Sequence, residues 1–220
     1  MPFFRLWVVF IELLDLLRCI NAHEETWLVT SFNSIANRFV LEGTLGCPTC
    51  SAEYRISGGI GRFGARPAES DVPRNPMSAR EREDLATRAG AFLNVTEPGE
   101  TVVLGGRWAE AAQELSVMTE SGIFALNAAK NIDESETVGL LEVHREIPLA
   151  ASSVQGVAID SSFPREILSS AVKVVRPGGR IVGPAGMEPL EGLALLARDP
   201  SYWVAEKPAE MIPLRRSKPV

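Results

Sequence analysis

Apolar positions along the chain recur in two rhythms. Near the start, Leu6, Val9/Phe10, Leu13/Leu14 and Leu17 return every three or four residues, the spacing of one buried helical face, with Glu12, Asp15 and Arg18 largely on the other side. The segment opens like a secretory leader. Its uninterrupted apolar run is only Leu6 to Ile11, too short to span a bilayer, and no clean small-residue cleavage box follows, so the pattern favours a packed helix over a cleaved leader. Residues 64–77 carry three prolines and no apolar period, and read as an extended linker. Ser78-Ala-Arg-Glu81 then forms a capping box, in which hydroxyl and carboxylate satisfy backbone amides at a helix start. The helix it opens places Leu85, Ala89, Phe92 and Leu93 on one face.

Beyond this helix, short β-rich runs alternate with helical ones. Strands are predicted at Thr101–Leu104, Gly122–Leu126, Thr137–Val143, Val157–Ile159, Arg180–Val182 and Tyr202–Ala205. Helices are predicted at Trp108–Met118, Pro164–Val174 and Leu190–Ala197, with a turn at Arg176-Pro-Gly-Gly179. Continuous apolar strands alternating with helices imply an α/β fold whose mostly parallel sheet is covered on both faces, the doubly wound class. Three parts follow: residues 1–63, a linker at 64–77, and an α/β domain at 78–220.

Composition fits a globular chain. Of 220 residues, 45% are apolar and 23% charged, enough for a core and unlike a disordered chain. The net charge of −6 without a basic block argues against grip on a nucleic-acid backbone as the main activity. The three cysteines all fall in the first fifty residues, which suits a local metal site better than a disulfide framework and implies a reducing, cytoplasmic compartment.

Cys19-x3-His23 is followed, after 23 intervening residues, by Cys47-Pro-Thr-Cys50. Two pairs of ligands on two turns are what a tetrahedral zinc ion requires, and the histidine favours zinc over iron. Four protein ligands leave no open position, so this zinc is expected to be structural. The competing readings are a Cys47/Cys50 redox couple, or a buried cysteine pair beside an incidental histidine.

Around these knuckles, Leu13-Leu-Asp-Leu-Leu-Arg-Cys19, Arg38-Phe-Val-Leu-Glu-Gly-Thr-Leu-Gly-Cys-Pro-Thr-Cys50 and Ser51-Ala-Glu-Tyr-Arg-Ile-Ser-Gly-Gly-Ile-Gly-Arg-Phe63 resemble the small zinc-ribbon activator subunit of tRNA and release-factor methyltransferases, across residues 11–63. The resemblance implies a protein partner bound through the ribbon. Arg55 and Gly61 stand where the family usually has prolines, and the first knuckle ends in His23.

Ala171-Val-Lys-Val-Val-Arg-Pro-Gly-Gly-Arg-Ile-Val182, with Ile147-Pro-Leu-Ala-Ala-Ser-Ser-Val-Gln-Gly-Val-Ala-Ile-Asp160 upstream, is similar to class I S-adenosylmethionine methyltransferases over roughly residues 84–206. That likeness implies a Rossmann-like, methyltransferase-type sheet. It also implies a cofactor site at Gly105, Gly106, Asn127 and Asp160. The usual G-x-G-x-G turn is here Gly105-Gly106-Arg107-Trp108, with Trp108 placed to close the pocket; Asn127 replaces the ribose-binding acid, and Gln155 stands where an aspartate is usual. These departures favour a methyltransferase-like pseudoenzyme that serves as an interaction platform. The alternative is an active S-adenosylmethionine-dependent methyltransferase with its activator-type ribbon fused in cis. A nicotinamide oxidoreductase fits less well, because no G-x-G-x-x-G follows the first strand. Catalytic residues are not legible. His144 reads as a solvated loop histidine, Trp203 and Tyr202 as core, and the Arg215-Arg-Ser-Lys218 tail as a solvated end.

Overall fold

The computed structural model describes residues 9–36, 39–64, 77–128 and 137–209. The leader-like residues 1–8, most of the linker and the basic C-terminal tail lie outside this set. In chain order the strands are β1 (Val9–Phe10), β2 (Val29–Ala36), β3 (Phe39–Gly46), β4 (Glu53–Ser57), β5 (Ile60–Phe63), β6 (Thr101–Gly105), β7 (Gly122–Leu126), β8 (Val138–Val143), β9 (Val154–Ala158), β10 (Val175–Pro184), β11 (Ala194–Arg198) and β12 (Tyr202–Glu206). The α-helices are α1 (Ala79–Leu93), α2 (Ala112–Thr119) and α3 (Ile167–Val174).

All twelve strands join one sheet, ordered β1-β3-β4-β5-β8-β7-β6-β9-β10-β12-β11, with β2 beside β3. The β5-to-β10 stretch is parallel, the β1-to-β5 part is antiparallel, and β12 runs antiparallel between β10 and β11. Parallel strands need covering on both faces, and the side-chain period of two supplies it. Val103, Phe124, Val157 and Ile181 point into one core with Leu13, Leu17 and α3, whereas Val102, Leu104, Ile123, Ala158 and Val182 point into the other with α1 and Trp108. Strand order reverses between β6 and β9, which places the ligand crevice of a doubly wound fold at their carboxyl ends.

The first core does not stop at the linker. Val40, Leu45, Tyr54, Ile56 and Phe63 of the N-terminal strands belong to the cluster that holds Val103 and Phe124. β5 pairs in parallel with β8, Ile60 opposite Leu140 and Phe63 opposite Val143. Glu25 reinforces the joint by accepting from the Ala151 N–H at 3.0 Å and lying 3.6 Å from Arg18 and 3.8 Å from Lys173.

Several elements differ from the sequence reading. The predicted N-terminal helix is β1 followed by a tight 3₁₀ turn, Ile11–Leu16. Backbone pairing explains the change: Leu17 bridges Leu149, Ala150 N–H donates to Leu16 C=O at 2.9 Å, and Arg18 N–H donates to Pro148 C=O at 2.8 Å. The buried face survives, since Leu13, Leu14 and Leu17 are all in the core. Leu190–Ala197 is not a helix. Gly192 takes a φ of +90°, outside helical space, and the chain from Ala194 pairs with the free edge of β12. The Arg176–Gly179 turn is an irregularity within β10, where the register with β9 shifts between Val175 and Arg180. The fourth strand starts at Val154, earlier than its apolar run suggested.

The capping box forms as read. Glu81 N–H donates to the Ser78 hydroxyl at 3.3 Å and Ser78 N–H donates to the Glu81 carboxylate at 2.8 Å. This contact holds the Glu81 carboxyl below the usual carboxylate range, the Ser78 backbone N–H contributing most. Among the described residues no helix is long and apolar enough to cross a membrane.

Candidate metal centre and cofactor crevice

Two turns build the candidate metal centre. The first follows the 3₁₀ segment, where Cys19 N–H donates to Thr26 C=O at 3.1 Å and closes a loop carrying His23. The second leaves β3, where Ser51 N–H donates to Cys47 C=O and Cys47 N–H to Ala52 C=O, both at 2.9 Å. Cys19, His23, Cys47 and Cys50 converge, their ligand atoms all within 4.8 Å of one another. Cys19 Sγ lies 3.7 Å from Cys50 Sγ, and His23 Nε2 lies 3.2 Å from Cys19 Sγ and 3.4 Å from Cys47 Sγ. A tetrahedral zinc ion with bonds of about 2.0–2.3 Å holds its ligand atoms roughly 3.5–3.8 Å apart; the Cys19–Cys50 separation falls in that range, and the His23 ring stands a few tenths of an ångström closer to its two sulfurs.

The surroundings suit a cation. His23 Nδ1 lies 2.6 Å from Glu24 C=O, to which its N–H donates, leaving Nε2 with a lone pair toward the sulfurs. The Ala52 N–H and then the Asn21 amide, which donates to Cys50 Sγ at 3.3 Å, hold the Cys50 thiol down at about 6. Burial pushes the Cys19 thiol up, although the Tyr54 hydroxyl 3.2 Å away opposes that effect. The donor set, three sulfurs and one imidazole with no open position, suits structural zinc. The spacing singled out these four residues, and the fold brings them together. The spacing gave no sign of the supporting Tyr54 and Asn21, which reach the sulfurs only in the folded chain.

The crevice is built from strand ends. After β6 the chain turns at Gly106, whose φ is +66° and whose N–H donates to Leu126 C=O at 3.1 Å. After β9, Asp160 comes against this turn: its carboxylate accepts from Arg107 N–H at 2.7 Å and from Ser162 N–H at 2.9 Å. A Cβ on Gly106 would collide with that carboxylate, and one on Gly105 would lie 2.8 Å from the Phe163 ring. The fold thus brings Gly105, Gly106 and Asp160 to one place, with Asp160 against Gly106 and Phe163 against Gly105. Asn127 follows Leu126, whose carbonyl Gly106 meets, but its side chain is engaged elsewhere. Its amide donates to Val143 C=O at 2.8 Å and accepts from Val143 N–H at 3.0 Å, so it clamps the end of β8.

The other singled-out residues serve packing. Trp108 does not close the pocket; it is buried against Phe92 and Tyr202, with ring centroids 6.3 and 4.9 Å away. Gln155 donates to the C=O groups of Leu93 and Asn94 at the end of α1. Trp203 is core and its indole N–H meets Met187 C=O, while His144 is half-buried. Phe163 is the crevice residue that sequence reasoning missed. The signal available was local: an aspartate at a strand end with a serine two residues on marks a turn that carries the next side chains back over the strands.

No protein-family model and no curated protein matches the chain. Among solved structures it is similar to a chain from the complex between the Haloferax volcanii Trm112 methyltransferase activator and a candidate methyltransferase, at 14% identity over 60% of this chain and 95% of that chain, with a TM-score of 0.45. It is also similar to a candidate S-adenosyl-L-methionine-dependent methyltransferase of Methanococcus maripaludis, at 11% identity over 61% of this chain and 88% of that one, TM-score 0.46. A third structure is a candidate sarcosine dimethylglycine methyltransferase of Galdieria sulphuraria, at 18% identity over 55% of this chain, TM-score 0.40; the alignment spans 52% of that protein. The assignment of this chain to the α/β, Rossmann-like class stands on its own strand order and directions.

Proposed function

We propose that the chain is a methyltransferase-like protein without methyl-transfer activity, stabilised by a structural zinc ribbon and serving as a platform for a protein partner. The observation that carries this reading is the seating of Asp160 on the Gly106 turn, with Phe163 against Gly105. A glycine-rich turn after the first strand of a doubly wound sheet admits a ligand because backbone without side chains can be approached closely. Here the chain's own carboxylate and ring make that approach. The Asn127 amide, the candidate for the ribose hydroxyls, is hydrogen-bonded to Val143.

The complex noted above joins an activator to a methyltransferase as separate chains. In this protein the activator-like ribbon is supplied in cis, because β5 pairs with β8 of the same chain. That strand edge is thus not open to a second enzyme. The ribbon's other flank, β2, is mostly exposed, with Val29, Phe32 and Ile35 and the preceding Trp27 presented to solvent and no charged residue from Trp27 to Ala36. This is the surface offered to a partner.

Isothermal titration of the zinc-loaded protein with S-adenosylmethionine and with its demethylated product tests the proposal. No saturable heat up to millimolar ligand is expected. Micromolar, saturable binding would overturn it and favour the active enzyme with its ribbon in cis, in which S-adenosylmethionine supplies the methyl group and Gly105, Gly106 and Asp160 line its site.

A further inference from the structure

Tyr54 stands between the metal centre and the joint of the sheet. It lies on β4, is 8% exposed, and its hydroxyl is 3.2 Å from Cys19 Sγ. The same oxygen accepts from the Ile20 N–H at 3.3 Å. A thiolate bound to a metal has no proton to give, so with Cys19 as a ligand the hydroxyl is the donor of this contact, and its oxygen still accepts from Ile20. The ring stacks on Phe63, centroids 4.7 Å apart at 26°, and Phe63 is the β5 residue opposite Val143 of β8.

We infer that Tyr54 is the outer-sphere positioning residue of the metal site, its hydroxyl fixing the Cys19 thiolate while its ring ties that ligand to the β5–β8 seam. A buried thiolate needs a donor to offset its lost hydration, and Cys19 is the more enclosed of the two cysteines that receive a side-chain donor. Asn21 serves Cys50 at the exposed side, and the His23 ring is held by Glu24 C=O. Each of these three ligands thus has its own orienting partner, as metal ligands in proteins generally do. The inference rests on the reading of the four-ligand cluster as a zinc site.

The test uses the full chain loaded with zinc or cobalt(II). Tyr54→Phe keeps the ring, its stacking and its burial, and removes only the hydroxyl. Zinc affinity, measured by competition with a chromophoric chelator, is expected to fall by about 10- to 100-fold. The thiolate-to-cobalt charge-transfer band is expected to move to lower energy, because a sulfur without its hydrogen bond gives up an electron more readily. A second measurement needs no loss of the group. The chain has two tyrosines, so 3-fluorotyrosine incorporated in a Tyr202→Phe background alters only position 54. Its more acidic hydroxyl should move the band to higher energy. Unchanged affinity and band position in Tyr54→Phe would overturn the inference, as would an unmoved band in the fluorinated protein should Tyr54→Phe fail to fold. A wild-type chain that binds neither metal would instead overturn the zinc reading itself, so the two failures are distinguishable.

Discussion

Phe63, the last residue of β5, lies opposite Val143, the last residue of β8, in parallel register. Val143 in turn has its N–H and C=O held by the Asn127 amide. The ribbon hairpin, the third strand of the α/β sheet and the turn after β7 therefore meet at one point. The joint is a continuation of the sheet and core.

Energy at this joint resides in burial, not in charge. Phe63→Ala removes a ring that is 1% exposed, and should cost about 3–5 kcal/mol of unfolding free energy. Arg62→Ala, one residue away, breaks the Arg62–Glu142 ion pair across the same strands, yet the arginine side chain is 43% exposed, and the loss should stay within about 1 kcal/mol. Denaturant unfolding of both variants checks the contrast; equal losses would show that the seam is held electrostatically.

Loss of the proposed zinc should weaken the chain globally, since Cys19 and Cys47 are themselves core residues of the cluster that runs into the α/β sheet. Cys47→Ser is expected to lose stoichiometric zinc and to lower the thermal midpoint by about 5 °C or more, and a chelator should do the same to wild type. Elemental analysis and thermal unfolding with and without chelator report both effects. A variant that melts as wild type would remove zinc from the account of stability.

Gly106→Ala should be destabilising for two separable reasons. The new methyl group meets the Asp160 carboxylate, and an L-residue at φ +66° carries a backbone cost of about 1–2 kcal/mol. Pairing it with Asp160→Ala relieves the collision but not the backbone cost, so the double variant should be less destabilised than the sum of the two single changes. Additive losses in a double-mutant cycle would mean that Asp160 does not sit on the turn.

The capping box gives a pH signature. Because folding depresses the Glu81 carboxyl, its contribution is fully present above the ordinary carboxylate range and is lost as pH falls through the depressed value. Glu81→Gln should therefore melt below wild type at neutral pH, with the difference closing in acid. Thermal midpoints of the two proteins across the acid range decide the point; a gap that does not narrow would assign the effect to packing.

The sequence by itself determined what short-range contacts govern. The Ser78-x-x-Glu81 box, the Cys19/His23 and Cys47/Cys50 knuckles, and the apolar runs of β6, β7 and β8 each follow from residues a few positions apart, and each formed where it was read. The burial of Leu13, Leu14 and Leu17 was legible too, because any compact conformation of that segment must hide those side chains. Tertiary structure decided the rest. Pairing with residues 148–150 turned a helical pattern into a 3₁₀ turn, and the free edge of β12 drew Leu195 into a strand. Both changes are backbone hydrogen bonds to distant chain, which no local period encodes. The same holds for the crevice: that Asp160 would sit on Gly106, and that Tyr54 would reach Cys19, depends on strands brought together across tens of residues. Local chemistry chose the candidate ligands and the turns, and long-range pairing chose what each of them touches.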